Sequence, residues 1–114
     1  MSTGCLFCNI VARTTPAQIV YEDDLVLAFR DIRPVAPTHV LVIPKVHVVG
    51  IHDAGAEHVE VLGRVLLAAR DVAEKMGLVG GYRLVFNQGA DAGQSVHHLH
   101  CHVLGGRPMA WPPG

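Results

Sequence analysis

Apolar positions along the chain fall into short blocks separated by turn residues, with one long stripe at helical spacing between them. Ile19-Val20-Tyr21 and Val26-Leu27-Ala28-Phe29, joined by Glu22-Asp23-Asp24, read as a β-hairpin. Pro34 and Pro37 forbid a regular strand after Asp31-Ile32-Arg33. His39-Val40-Leu41-Val42-Ile43-Pro44 is a nearly continuous apolar run, the pattern of a central strand buried on both faces. Asp53 is placed to cap a helix, with Glu57 in its first turns. Val59, Leu62, Val65, Leu66, Ala69, Val72, Ala73 and Met76 then recur on one face, with Arg64, Arg70, Asp71, Glu74 and Lys75 on the other. Gly77 followed by Leu78 predicts a left-handed helix end. Tyr82-Arg83-Leu84-Val85-Phe86-Asn87 is a further strand, reached through Gly80-Gly81. Strands, one long helix and strands again indicate an α+β fold with a mostly antiparallel sheet whose one face the helix covers.

The last apolar block carries the anomaly. In Gln94-Ser95-Val96-His97-His98-Leu99-His100-Cys101-His102-Val103-Leu104, histidine recurs with period 2 at His98, His100 and His102. On a strand that spacing places all three imidazoles on one face, with Leu99, Cys101 and Val103 on the other. Alternate residues lie roughly 6.6 Å apart, so His98 and His102 are separated by about 13 Å at their backbones. Three rings so spread cannot close around one ion that binds imidazole at about 2.0–2.1 Å. The row is therefore expected to divide its labour, some members meeting a substrate and another turning elsewhere.

Composition narrows the function classes. Nine Lys and Arg against ten Asp and Glu leave no basic stripe for a nucleic-acid polymer, and no apolar run reaches the roughly 18–20 residues of a membrane span. The start Met1-Ser2-Thr3-Gly4-Cys5 lacks the regions of a secretory signal, and three cysteines are an odd count that argues against a disulfide framework. A cytoplasmic protein of one domain, residues 1–114, is the expectation. Eight histidines in so short a chain stand out.

Cys5-Leu6-Phe7-Cys8 leads into Asn9-Ile10-Val11-Ala12, read as a short helical turn. A redox-active C-x-x-C follows a strand, and none precedes this one; half of a zinc site is favoured, its other ligands being distant histidines, against two incidental thiols. Lys45 and His47 sit where the central strand emerges. The loop Gln88-Gly89-Ala90-Asp91-Ala92-Gly93-Gln94-Ser95 offers backbone N–H groups to phosphate oxygens, and Ser95 adds a hydroxyl. There is no G-x-x-x-x-G-K-[ST], so the chain is no P-loop ATPase. Neutral imidazole attacks phosphorus readily, and a nucleotidyl-histidine intermediate would split one hard displacement into two easier ones. The tail Arg107-Pro108-Met109-Ala110-Trp111-Pro112-Pro113-Gly114 cannot be regular structure, and its lone Trp is covered either by a partner subunit or by packing on its own domain.

With these residues assembled, the chain resembles the histidine triad (HIT) family, whose signature His-φ-His-φ-His-φ-φ (φ apolar) reads here His98-Leu99-His100-Cys101-His102-Val103-Leu104. The likeness extends through Ala28-Phe29-Arg30-Asp31-Ile32, the run 36–45, Gly93-Gln94-Ser95-Val96 and Leu104-Gly105-Gly106-Arg107. The ending Trp111-Pro112-Pro113-Gly114 is similar to that of the Hint branch of nucleotide-binding members. The resemblance implies a five-stranded sheet that joins a second copy in a ten-stranded homodimer. It implies hydrolysis of purine nucleoside phosphoramidates that releases AMP, with His100 the nucleophile and His102 and Ser95 assisting phosphate and leaving amine. Phe29, Arg30, Asp31 and Ile32 would surround ribose and base, and Asn87, Gly93 and Gln94 would line phosphate and ribose. Cys5, Cys8, His47 and His98 would hold one structural zinc in the segment 1–12 and beyond, and the tail 105–114 would lie near the partner's site. Arg30 and His97 depart from the usual pattern, while His39, His52 and His58 receive no role and are read as structural or solvated. A dinucleoside polyphosphate hydrolase is disfavoured by the tail, and a nucleotidyltransferase by His102. A nucleotide-binding regulatory dimer, with hydrolysis incidental, shares the same pocket.

Overall fold

The computed structural model describes residues 4–114, so the first three residues of the expected zinc segment and of the presumed leaderless start lie outside the described residues. Helix α1 (Leu6–Val11) precedes the hairpin β1 (Ile19–Glu22) and β2 (Val26–Arg30), then β3 (Thr38–Pro44), α2 (Val59–Lys75), β4 (Tyr82–Val85) and β5 (Cys101–Gly105). The five strands form one antiparallel sheet in the order β1-β2-β3-β5-β4. The α+β reading and the central place of β3 hold.

The hairpin turns on one side chain. Asp23 Oδ1 accepts the N–H groups of Leu25 (2.8 Å) and Val26 (3.0 Å), and Oδ2 accepts the hydroxyl of Tyr21 and Nε of Arg64. Burial works to raise the Asp23 carboxyl, but the Arg64 guanidinium and these N–H donors hold it well below the usual carboxylate range. Arg64, expected on the solvent face of the helix, instead fastens α2 to the hairpin.

Strand alternation gives the sheet two different faces. Val26, Ala28, Val40, Val42, Cys101 and Val103 meet Val61, Val65, Ala68, Ala69, Val72 and Ala73 of α2 in the main core. Leu27, Phe29, Leu41 and Ile43 point the other way and are covered by Phe7 and Ile10 of α1. The rest of that second face, carried by His39 and His102, is left for chemistry.

Four expectations are corrected. Helix α2 starts at Val59 after two 3-10 turns, Ile51–Asp53 and Ala56–His58, so Asp53 caps nothing and Glu57 precedes the helix. Its buried stripe runs through Val61 and Ala68 rather than Val59, Leu62 and Leu66. At its far end Leu78 N–H reaches Ala73 O and Gly77 N–H reaches Glu74 O, with Gly77 at φ +74°, the expected left-handed stop. Strand β4 ends at Val85, opposite His102, rather than at Asn87.

The histidine strand is the fourth correction. Only Cys101–Gly105 is strand, so His98 and His100 lie on the irregular approach to it. The ladder between β3 and β5 stops at Val42 opposite Cys101, because Pro44 brings no N–H and its carbonyl is taken by the His98 ring. Leu99 N–H goes instead to Val48 O at 2.6 Å.

Candidate active site and metal centre

Cys5 is the N-cap of α1, its Sγ accepting Cys8 N–H at 3.3 Å, which brings the two thiols to one side of the first turn. His47, from the segment after β3, and His98 complete a cluster whose four ligand atoms lie within 4.8 Å of one another. Cys5 Sγ and Cys8 Sγ stand 3.4 and 3.5 Å from His98 Nδ1, while His47 Nδ1 is 3.2 Å from Cys8 Sγ and from His98 Nδ1. A tetrahedral zinc with Zn–N near 2.0–2.1 Å and Zn–S near 2.3 Å requires separations of about 3.3 Å between nitrogens and about 3.6 Å between nitrogen and sulfur. The four residues fit that ion.

His98 is prepared for it. The Pro44 carbonyl can only accept, so His98 Nε2 carries the proton and donates to it at 2.8 Å, leaving the Nδ1 lone pair for the metal. The ring is wholly buried, and burial lowers its pKa, which keeps it neutral and able to ligate. Burial, together with the hydrogen bond and charge of Cys5, raises the Cys8 thiol to about 11, so that sulfur needs a cation beside it to ionise near pH 7.

The same reasoning fixes the other two imidazoles. His100 Nδ1 lies 2.7 Å from the carbonyl of His98; it must donate, so the lone pair is on Nε2. His39, at the start of β3 on the face of Leu41 and Ile43, accepts the N–H of Val35 on Nδ1 at 3.1 Å and so carries its proton on Nε2. That proton is given to His102 Nδ1 at 2.8 Å, with Asp31 Oδ2 at 3.4 Å as a second acceptor. His102 therefore carries its own proton on Nε2, the one buried side-chain nitrogen or oxygen without a partner among the described residues. Burial, then the neighbouring His100 and His39, bring the His102 pKa down to about 4, so it is neutral at pH 7. The rings of His100 and His102 are 5.0 Å apart. A lone pair and an unpartnered N–H thus sit side by side, a pairing able to attack an electrophilic centre while donating to an oxygen on it.

The remaining candidates are placed as follows. Asp31 follows β2, with Oδ1 accepting Arg33 N–H at 2.8 Å, and Ile32 is 90% exposed beside it. Phe29 is buried against Phe7, whose ring edge also meets His100 at 5.1 Å, so it supports the site from below. Arg30, one residue on, points through the sheet to the α2 side, where its Nη2 is 3.6 Å from Met76 Sδ; its side chain does not reach the histidine face. Gln94 is committed to backbone: Oε1 accepts Gly89 N–H and Nε2 donates to the carbonyls of Val49 and Val96. Gly93, at φ +84°, supplies the left-handed turn before it. Ser95 stands exposed in the wall of an open cleft of about 830 Å³ shared with Cys5, Cys8 and His47. Asn87 lines a second cleft with Arg83, Asp91 and the tail. Trp111 is 81% exposed under the Arg83 guanidinium, 5.8 Å from its ring. His39 is the neighbour of His102 to which the sequence reading gave no role; its signal is its phase with Leu41 and Ile43 on the face that carries His102.

Comparison with known proteins agrees with this architecture. Residues 12–109 match the family model described as HIT domain. The chain belongs to the HIT family. Among curated relatives it is 47% identical to the purine nucleoside phosphoramidase of Escherichia coli K12, covering 96% of this chain and 92% of that one. It is 51% identical to a 14 kDa zinc-binding protein of Zea mays, over 96% and 87% of the two chains. The structure of a HIT family hydrolase from Legionella pneumophila superposes with a TM-score of 0.95 at 52% identity, covering 97% of this chain and all of that one. Among the described residues, no helix is long and apolar enough to cross a membrane.

Proposed function

We propose that this HIT protein is a purine nucleoside phosphoramidase, cleaving P–N bonds of adenosine 5′-phosphoramidates and releasing AMP. The observation that carries the reading is the opposed pair of tautomers: His100 offers the Nε2 lone pair beside the Nε2–H of His102. His100 Nε2 attacks the α-phosphorus and the P–N bond to the amine breaks. The His98 carbonyl, already accepting the Nδ1–H, stabilises the positive charge that grows on the ring. His102 Nε2–H donates to a non-bridging phosphate oxygen, and a proton from solvent passes through the Ser95 hydroxyl to the departing amine, to be returned when water attacks in the second step. Water then cleaves the nucleotidyl-His100 bond, giving AMP and restoring the imidazole.

Asp31 faces the ribose hydroxyls from the end of β2, with Ile32 beside the base and Asn87 and Gly93 along phosphate and ribose. Arg30 and Gln94 act from outside the pocket, as supports. Cys5, Cys8, His47 and His98 hold one zinc, a closed four-ligand site that contributes folding energy and no open coordination position. The working form is a homodimer in which Trp111 lies near the partner's site. The purine nucleoside phosphoramidase of E. coli supports the activity, and the zinc-binding relative of maize supports the metal.

The test is steady-state release of AMP from adenosine 5′-phosphoramidate by wild type and His100→Ala. Loss of a covalent nucleophile costs several orders of magnitude in kcat. Equal, slow turnover by the two proteins with intact AMP binding would leave a nucleotide-binding protein instead.

A further inference from the structure

The two clusters just described share one residue. His98 contributes its ring to the Cys5-Cys8-His47 cluster and its carbonyl to the Nδ1–H of His100. It also lies on a segment without ladder hydrogen bonds, since β5 begins only at Cys101. The path of residues 98–100 is therefore set by a few anchors: the His98 ring on Pro44 O and on the cluster, and Leu99 N–H on Val48 O. Val48 itself directly follows His47, another member of the cluster. Two of these anchors run to the metal centre, the cluster itself and the carbonyl beside His47, and one, Pro44 O, runs to the end of β3.

From this geometry we infer that the metal centre is a redox-operated positioning device, in which oxidation of Cys5 and Cys8 to a disulfide releases the metal and frees the backbone that sets the tautomer of His100. The inference rests on the phosphoramidase reading only for its effect on turnover. The thiols are suited to the step. They occupy positions i and i+3 of one helical turn, which are neighbours on a helix surface, and their sulfurs already lie within 4.8 Å. Both are half-buried in the wall of an open cleft that admits a small oxidant. With hydrogen peroxide as oxidant the step balances. Two thiolates lose two electrons and form one S–S bond, the O–O bond of peroxide breaks, and two protons from water complete two water molecules. His47 and His98 alone then face the metal, half of the set a closed zinc site needs. With Nδ1 released and only the Pro44 hydrogen bond and the Phe7 contact left to hold the ring, His98 shifts its carbonyl away from His100, whose imidazole exchanges between the two neutral tautomers. Part of the population then carries a proton on the nitrogen that must attack.

The experiment uses the full-length, zinc-loaded protein labelled with ¹⁵N at histidine. Hydrogen peroxide is added while released zinc is followed with a coloured chelator, Cys oxidation by peptide mass, and the His100 ring nitrogens by two-bond ¹H–¹⁵N correlation. A parallel sample has its zinc removed by chelation under reducing conditions. The expected result is one zinc released per chain with a Cys5–Cys8 disulfide, and loss of the single Nδ1–H pattern of His100 in both samples. Turnover falls by about 10- to 100-fold, the range for partners that orient a reacting group, and returns with dithiothreitol and zinc. Release of zinc with the His100 pattern unchanged overturns the inference, as does peroxide that leaves Cys5 and Cys8 reduced. The nitrogen spectrum decides it even if no phosphoramidate is hydrolysed, an outcome that sinks the proposed function alone.

Discussion

His39 Nε2 and His102 Nδ1 are 2.8 Å apart, and the N–H of Val35 on the far side of His39 makes that contact directional. The chain of bonds from Val35 through His39 ends at the His102 N–H that faces the site. His39→Ala should leave His102 Nδ1 without its donor and let the ring protonate on the wrong nitrogen. The expected loss is about 10- to 100-fold in kcat with KM little changed. Two-bond ¹H–¹⁵N spectra should show mixed tautomers at His102; a sole Nε2–H tautomer in the variant would remove His39 from this role.

Acid should weaken the fold with a definite sign. Burial depresses the pKa values of His39, His98 and His102, the last to about 4, against about 6.5 for an unfolded histidine. Neutral rings are favoured in the native state, so their stabilisation is complete above about pH 6.5 and is lost as pH falls through the native values. Urea midpoints taken from pH 7 to pH 4 should decline across that window. The His102 ring nitrogens should stay neutral at pH 5.5, where a solvated imidazole is mostly charged; a charged His102 there would contradict the bonding above.

The metal centre makes a compositional prediction. Protein expressed with zinc should carry about one ion per chain, and Cys8→Ser or His47→Ala should lower both the content and Tm. Elemental analysis beside a melting curve checks this. Full thermal stability after exhaustive chelation would show that the four ligands hold nothing the fold uses.

Packing predictions separate the two sheet faces from the surface. Leu27, wholly buried under α1, should cost about 2–5 kcal/mol on substitution by Ala. Gly77→Ala places a Cβ at φ +74°, at about 1–2 kcal/mol, the cost of a left-handed backbone for an L-residue. Denaturant unfolding measures both, and a Gly77→Ala protein of unchanged stability would mean that the helix end is not strained by a side chain.

The hairpin, the both-face burial of β3 and the Gly77 stop were legible because each depends on local chemistry: turn residues, a continuous apolar run, and a glycine in the left-handed region. The phase of α2 was not. Val59, Leu62 and Leu66 form an apolar stripe beside the buried one of Val61, Val65 and Ala68, and periodicity alone does not say which one meets the sheet. The start of β5 was hidden for a similar reason. Period-2 histidines suggest strand, while the end of the ladder is dictated by Pro44 on a different strand. The spacing of the three histidines made it legible that they would not share one place: His98 lies with Cys5, Cys8 and His47, and His100 with His102. The part played by His39 was not, because it depends on the register that sets β3 beside β5 and on a loop N–H from Val35. Arg30 and Gln94 show the limit from the other side: their neighbours in sequence approach the site, but strand alternation and backbone hydrogen bonds send these two elsewhere.

The central claim is that His100 attacks phosphorus itself, so that two displacements occur in sequence. Stereochemistry at phosphorus tests it most directly. An adenosine 5′-phosphoramidothioate of one configuration, hydrolysed in ¹⁸O-water, should give product with net retention, since two in-line inversions cancel. Net inversion would mean a single attack by water, and His100 would then be a general base and no nucleophile.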